Sequence, residues 1–347
     1  MKIVGCRISE LPEHSRFALE LLSDEQLTGV SIVPAVLAPA VQQLTNEALV
    51  DTDARATLAA WERLSRINQA RSGALGEAIA ALDIALWDLK AKRDDQPLWR
   101  ALGGLQPRAN VHVRAPDDDG STSLQEWCVQ LASSGIRGVL LSSSGSPARD
   151  ASRLATIRDS LGRQPSDLDL MLDVRGPWSP KETIRAVRRI EWTIDLAWVE
   201  GATHDTDFLG LERISTSIRA GVCAGGQLRS AADFLPHLHH RSLDYVQIDT
   251  SRVGISEALR IADAAYAFEL PVILAASPGN LNVHLAAALP YCASVEVGSE
   301  LLQDTRFEPA ANSDVRIECG RAVTGTRPGH GIVIDPATAP STSATPA

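Results

Sequence analysis

No stretch of this 347-residue chain approaches the roughly 20 uninterrupted apolar residues that a membrane span needs. The opening run MKIVGCRISELPEHS meets charge and proline too early for a secretory leader, so a soluble, cytoplasmic protein is expected. Positive charge is in deficit: 33 lysines and arginines against 43 aspartates and glutamates give a formal net charge of −10. A phosphate-tracking surface is therefore not expected, and neither nucleic acid nor an anionic membrane is an expected partner. Cysteine is sparse. The five (Cys6, Cys128, Cys223, Cys292, Cys319) are scattered and form no CxxC pair, which argues against a disulfide framework and a zinc knuckle and leaves them as small buried filler. Low complexity is confined to Pro336–Ala347, where small and prolyl residues predict a disordered tail.

What is present is a large core and a regular rhythm. Hydrophobic residues make up 44% of the chain, enough for one large barrel or two ordinary domains. The first hundred residues read as strands over Lys2–Ser9 and Phe17–Leu22, then helices over about Pro39–Leu49, Asp53–Ile67 and Gly76–Lys92. The last has Ile79, Leu82, Leu86 and Leu89 on one face and stops near Gly103-Gly104. From Val111 onward come eight short apolar runs: VHVRA, GVLLSS, LDLMLDV, AWVEG, GVCAGG, DYVQID, PVILAA and SVEVGS. Their ends are 23 to 31 residues apart, room for one strand, one crossover helix and two loops per unit. Eight such units predict a closed parallel (β/α)8 barrel rather than an open sheet.

Barrel chemistry sits at the C-terminal ends of the strands, and those ends carry Asp173, Glu200, Asp249 and Glu296. Four acids on one rim exceed what folding alone requires. Three other features take bland readings. His237, His239 and His240 suit the negative end of a helix, where cationic side chains are favoured, so changing all three should cost little. GVCAG around Cys223 has the outline of a nucleophile elbow but reads as the fifth barrel strand. SSSG at Ser142 and SPGN at Ser277 read as ordinary βα turns rather than anion cradles.

The stretch GEAIAALDIALWDLKAKRDDQPLWRALGG (Gly76–Gly104) resembles the helix leading into the barrel in the enolase superfamily, specifically its mandelate racemase/muconate lactonizing enzyme branch. LMLDVRGPWSPKETIRAVRRIE, WVEG, VQIDTSRVGISEALRIADAA, HLAAALP and RPGHGIVID extend the likeness over roughly residues 1–335. The resemblance implies a modified (β/α)8 TIM barrel over 106–300 under an α+β capping domain, built from 1–105 and completed by about 301–335. It also implies a divalent metal, held by carboxylates on strands three, four and five, that grips a substrate carboxylate while a base takes the neighbouring proton. Asp173 matches the first metal ligand and Glu200 the second. Asp249 matches the aspartate that pairs with a strand-seven histidine, and Glu296 the acid on strand eight.

Other positions depart from the pattern. The strand-two Lys-x-Lys is replaced by Leu140-Leu141-Ser142, the third ligand by Gly226, and the strand-seven histidine by Ala275. The asparagine two residues past the first ligand is Arg175, expected to share the rim with Asp173 and, with Arg252, to compensate the acids. The substrate-covering loop over Ser9–Arg16 is short, which predicts a wetter mouth. Mg2+ is then the one implied cofactor, weakened by the lost ligand and the arriving arginine. Two expectations follow. The first is a protein degenerate for α-proton abstraction that binds a small carboxylate. The second is an active Mg-dependent racemase, epimerase or acid-sugar dehydratase with a rearranged set, Asp249 as base and Glu296 as acid. Self-association into a homo-oligomer is left open.

Overall fold

The structure is a computed structural model that describes residues 1–11, 16–67, 74–117, 124–161, 168–175, 178–298, 301 and 311–334. The expected tail lies outside these, as does the middle of the expected substrate-covering loop. The chain opens with a three-stranded antiparallel sheet, β1 (Ile3–Leu11), β2 (Arg16–Ser23) and β3 (Thr28–Pro34). The third strand, which follows the turn-like SDEQ, is not among the strands expected from the sequence. Gly29 is glycine for a packing reason: a Cβ there would stand 2.8 Å from Cβ of Leu89. Helices α1 (Ala38–Leu44), α2 (Thr57–Ile67) and α3 (Ala74–Arg93) cover the sheet. The expected helix over Pro39–Leu49 is a shorter α-helix followed by one π-helical turn, Thr45–Leu49.

After the short helix α4 (Leu98–Ala101), eight parallel strands close on themselves. They are β4 (Arg108–Arg114), β5 (Gly138–Ser142), β6 (Asp169–Asp173), β7 (Trp198–Glu200), β8 (Gly221–Ala224), β9 (Tyr245–Ile248), β10 (Val272–Leu274) and β11 (Cys292–Val297), with β11 paired back to β4. Helices α5 (Leu124–Ser134), α6 (Pro147–Leu161), α7 (Pro180–Ile190), α8 (Phe208–Ser215), α9 (Ala231–His240), α10 (Thr250–Ala267) and α11 (Asn282–Ala288) form the outer ring. All eight apolar runs are barrel strands. Strand β12 (Ala311–Asn312) pairs with β15 (Val333–Ile334), while the hairpin β13 (Arg316–Glu318) and β14 (Arg321–Val323) adds to the start of β4. Among the described residues no helix is long and apolar enough to cross a membrane.

Side chains alternate across each strand, so residues two apart face the lumen in layers. Leu140, Met171, Trp198, Cys223 and Ile273 form a buried layer inside the barrel. Two residues further along the strands, the same faces carry Ser142, Asp173, Glu200 and, on β4 and β11, Arg114 and Glu296. The period that fills the lumen thus delivers polar groups to its mouth.

The capping layer is bolted to the barrel by buried polar contacts from α3. Gly254 interrupts α10 at φ 75° and ψ −175°, a conformation open essentially to glycine alone. The break turns the amide of Ser256 toward fully buried Asp83, which accepts from that N–H at 2.7 Å and from the Ser256 hydroxyl at 2.6 Å. Trp87 donates its indole N–H to the same hydroxyl. One turn on, buried Asp88 accepts from the amides of Val30 and His330 and pairs with Lys92 at 2.6 Å. The RPGHG segment is thereby fixed against the first sheet.

Candidate active site at the barrel mouth

The centre of the mouth is a guanidinium, and it belongs to Arg114 at the end of β4. Nη1 donates to Asp173 Oδ2 at 2.7 Å and to the Ser142 hydroxyl at 3.1 Å. Nε and Nη2 fork onto the two oxygens of Glu296 at 2.9 and 3.3 Å. Burial works against charge on Arg114, but Glu296 and Asp173 outweigh it, so its pKa lies above the ordinary arginine value. This bidentate geometry is what a planar guanidinium does best.

The sequence assigned that role to Arg175, and the structure corrects it. Strand β6 ends at Asp173, and Arg175 adopts a left-handed φ of 60°, so the alternation that would aim its side chain at the rim no longer holds. Its backbone N–H donates to Asp173 Oδ1 at 2.8 Å, while its guanidinium turns outward to Asp117. Arg252 does serve as a counter-ion, standing 3.3 Å from Asp249. Asp249 is engaged further as the N-cap of α10, accepting from the amide and hydroxyl of Ser251 at 2.9 and 2.6 Å.

Glu200 pairs in register with Asp173 on the neighbouring strand and is 3% exposed. Its two oxygens accept from the Trp198 indole at 2.9 Å and from the Gln247 amide at 3.0 Å. Burial, with the nearby Glu296 and Asp173 charges adding to it, pushes its pKa up to about 7. Gln247 was missed by the sequence reading. A Cβ added at Gly226, the vacated third-ligand position, would lie 2.7 Å from Gln247 Oε1. The glutamine on β9 therefore fills the space that an acid on the preceding loop would take.

These donors are a poor fit for a resident divalent ion as they stand. Both oxygens of Asp173 and both of Glu200 are already taken by N–H groups, and the third position offers a neutral amide. Among the described residues no cluster of three histidine, cysteine, aspartate or glutamate side chains is arranged to hold a metal. Asp173 and Glu200 remain the residues that could hold Mg2+, provided Arg114 left Asp173.

The lesser candidates resolve simply. Ser143 and Ser144 spend their hydroxyls on buried Asp150. Ser277 accepts the Asn282 amide at the start of α11. Cys223 is buried on β8, its thiol pKa raised well above the usual value by burial and then by Glu200. His237, His239 and His240 do end α9, but His237 is buried and shares a 3.1 Å hydrogen bond with the Ser242 hydroxyl, which corrects the expectation that all three are freely replaceable.

Comparison with known proteins matches residues 23–103 to the family described as Mandelate racemase / muconate lactonizing enzyme, N-terminal domain, and residues 123–338 to Enolase C-terminal domain-like. The chain is 29% identical over 306 residues to a 3,6-anhydro-alpha-L-galactonate cycloisomerase of Streptomyces coelicolor, covering 87% of this chain and 82% of that protein. It is 29% identical over 278 residues to an L-talarate/galactarate dehydratase of Salmonella typhimurium, covering 76% and 65%. Among solved structures, L-talarate dehydratase from Polaromonas sp. JS666, complexed with Mg and L-glucarate, superposes with a TM-score of 0.84 at 27% identity, covering 97% and 96%.

Proposed function

The chain belongs to the mandelate racemase/muconate lactonizing enzyme branch of the enolase superfamily; from that premise we propose that its barrel mouth takes a small hydroxy- or sugar-acid carboxylate. We propose further that its own residues leave it degenerate for metal-assisted α-proton abstraction. The observation that carries the second step is Arg114, lying between Asp173 and Glu296 and ion-paired with both. A divalent ion about 5 Å from that guanidinium would meet a repulsion of about 7 kcal/mol at an effective dielectric of roughly 20. The base positions are also empty, since Leu140, Ser142 and Ala275 bear no group that titrates near neutrality. A ligand carboxylate would draw on the remaining N–H of Arg114, in competition with Glu296.

The relatives favour a second reading, an active isomerase or lyase. The cycloisomerase and the dehydratases named above are enzymes of acid-sugar chemistry, and the Polaromonas structure holds Mg with L-glucarate. Gln247 beside Glu200 also supports it, because the third position is filled rather than void. In this reading Asp249 would be the base and Glu296 the acid, and each would first have to leave the contacts described above.

The experiment is incubation with a panel of sugar acids, hydroxy acids and N-acyl amino acids in D2O with Mg2+, followed by NMR at the α-carbon. Calorimetric Mg2+ titration of stripped protein accompanies it. The degenerate reading expects no deuterium uptake and no dehydration. Turnover that disappears in both Asp173→Asn and Glu200→Gln would establish the active reading.

A further inference from the structure

A large cavity lies at the opposite end of the barrel. It encloses about 630 Å³ at the N-terminal ends of the strands, and a second cavity of about 210 Å³ shares Arg108, Asn110 and Arg321 with it. Its wall is the β13–β14 hairpin, whose turn is tight: Cys319 and Gly320 both have positive φ, 49° and 77°. The Gly320 amide donates to the Ser134 carbonyl at 3.0 Å, and Gly320 packs against Gly135 too closely for any side chain. The wall is therefore fixed to the end of α5 rather than hanging as a loose flap.

The charge of this cavity runs against that of the whole molecule. In a chain of net charge −10, three arginines converge here: Arg108 at the start of β4, Arg137 just before β5 and Arg321 on β14. None of the three makes an ion pair or side-chain hydrogen bond among the described residues, although arginines elsewhere in the chain are commonly paired. Two acids share the lining. Glu318 is taken by Arg316 at 2.6 Å. Asp169 faces Arg137, which leaves a surplus of guanidinium N–H groups. Asn110 adds an amide, and the half-buried Tyr245 ring, packed 5.1 Å from Trp198, supplies one flat wall.

We propose that this foot cavity is a binding site for a small organic phosphate, with Arg137 and Arg321 holding the phosphoryl group, Asn110 meeting a hydroxyl and Tyr245 lying against the ligand's carbon frame. Planar N–H forks match phosphate oxygens in pairs, and the volume falls within the range of small-molecule sites. Three guanidinium groups facing one acid, Asp169, that no arginine outside the cavity takes leave a surplus of positive charge that a dianion would relieve. The site is distinct from the mouth, where chemistry in this architecture resides, and the proposal stands whether or not the mouth turns over a substrate.

The test is calorimetry on the full chain with two probes, glucose 6-phosphate and inorganic phosphate, at low and moderate salt. Saturable one-to-one binding is expected, weakened at least about tenfold in each of Arg137→Ala and Arg321→Gln, as loss of a charge-assisted pair implies. It should be unchanged in Asp173→Asn at the mouth and in Arg189→Ala, an exposed arginine on α7. Tighter binding of glucose 6-phosphate than of phosphate would identify the organic ester as the ligand, and equal binding the free ion. Both cavity arginines lie on the surface, so melting curves of the two variants should overlay the parent. Absence of saturable binding by either probe, or binding that survives both cavity substitutions, would overturn the proposal.

Discussion

Replacing Arg114 by methionine keeps an unbranched chain of similar reach and removes the charge, so it isolates the guanidinium at the centre of the mouth. In the parent, Mg2+ at Asp173 competes with the 2.7 Å contact from Nη1. A hydrogen bond to a charged partner contributes about 1.5–3 kcal/mol. Each 1.4 kcal/mol is a factor of ten in affinity. Arg114→Met should therefore bind Mg2+ roughly 10- to 100-fold more tightly than the parent, the outcome opposite to the usual loss on mutating a site residue. The stability effect has the other sign. Removing one partner of a buried ion pair typically costs about 3–5 kcal/mol. The Arg114 side chain is 34% exposed, so solvent screening reduces this to about 2–3 kcal/mol. In the variant, Mg2+ at 100 times its dissociation constant would restore about 2.7 kcal/mol. Urea unfolding with and without Mg2+, beside calorimetric titration, reads both numbers. A parent that binds Mg2+ as tightly as Arg114→Met, or a variant whose stability ignores the ion, would refute the claim that Arg114 stands in the metal's place.

Three further predictions concern the frame. Gly254→Ala should cost about 1–3 kcal/mol, because alanine does not adopt φ 75° with ψ −175° without strain and its Cβ would sit 2.7 Å from Asp83 Oδ2; thermal unfolding measures it, and a neutral result would show that α10 can run straight. Burial raises the Asp83 pKa to about 6, against the hydrogen bonds from Ser256 that lower it. The folded state then holds a proton that the unfolded chain has released, so this group's contribution is full below about pH 4 and is lost as pH rises to about 6. Urea midpoints from pH 4 to pH 7 should show that loss in the parent and not in Asp83→Asn. His237→Gln should cost about 1 kcal/mol through its buried bond to Ser242, whereas His239→Gln and His240→Gln should stay within about 0.5 kcal/mol; equal costs at all three positions would contradict the burial difference.

The barrel was legible because its signal is repetitive. Eight apolar runs at near-constant spacing become eight strands, and their last residues become the rim, so Asp173, Glu200 and Glu296 could be placed before any coordinates. The failures came where the repeat stops. The strand from Thr28 follows the turn-like SDEQ and holds a glycine, which disfavours strands, yet close approach of α3 demands a residue without a side chain there. The break in α10 at Gly254 answers to Asp83, 171 positions earlier in the chain, and no local pattern carries that information.

Arg114 shows how a rule of alternation must be applied. Extending it from Asp173 to Arg175 carried it past the end of β6, into a left-handed residue where it no longer governs direction. Applying it to the run VHVRA would have worked. His112 lies opposite Glu296 in the β4–β11 ladder and points into the lumen, with its ring fully buried against Trp198. The residue two further on must then rise to the same mouth as Glu296. Burial, and then the charge of Arg114, lowers the pKa of His112 to about 3, so the layer beneath the guanidinium is neutral at any ordinary pH. With no cation below it, Arg114 is held by the two acids and the Ser142 hydroxyl. The mouth's electrostatic balance therefore turns on one side chain, and substituting it should change metal affinity and stability in opposite directions.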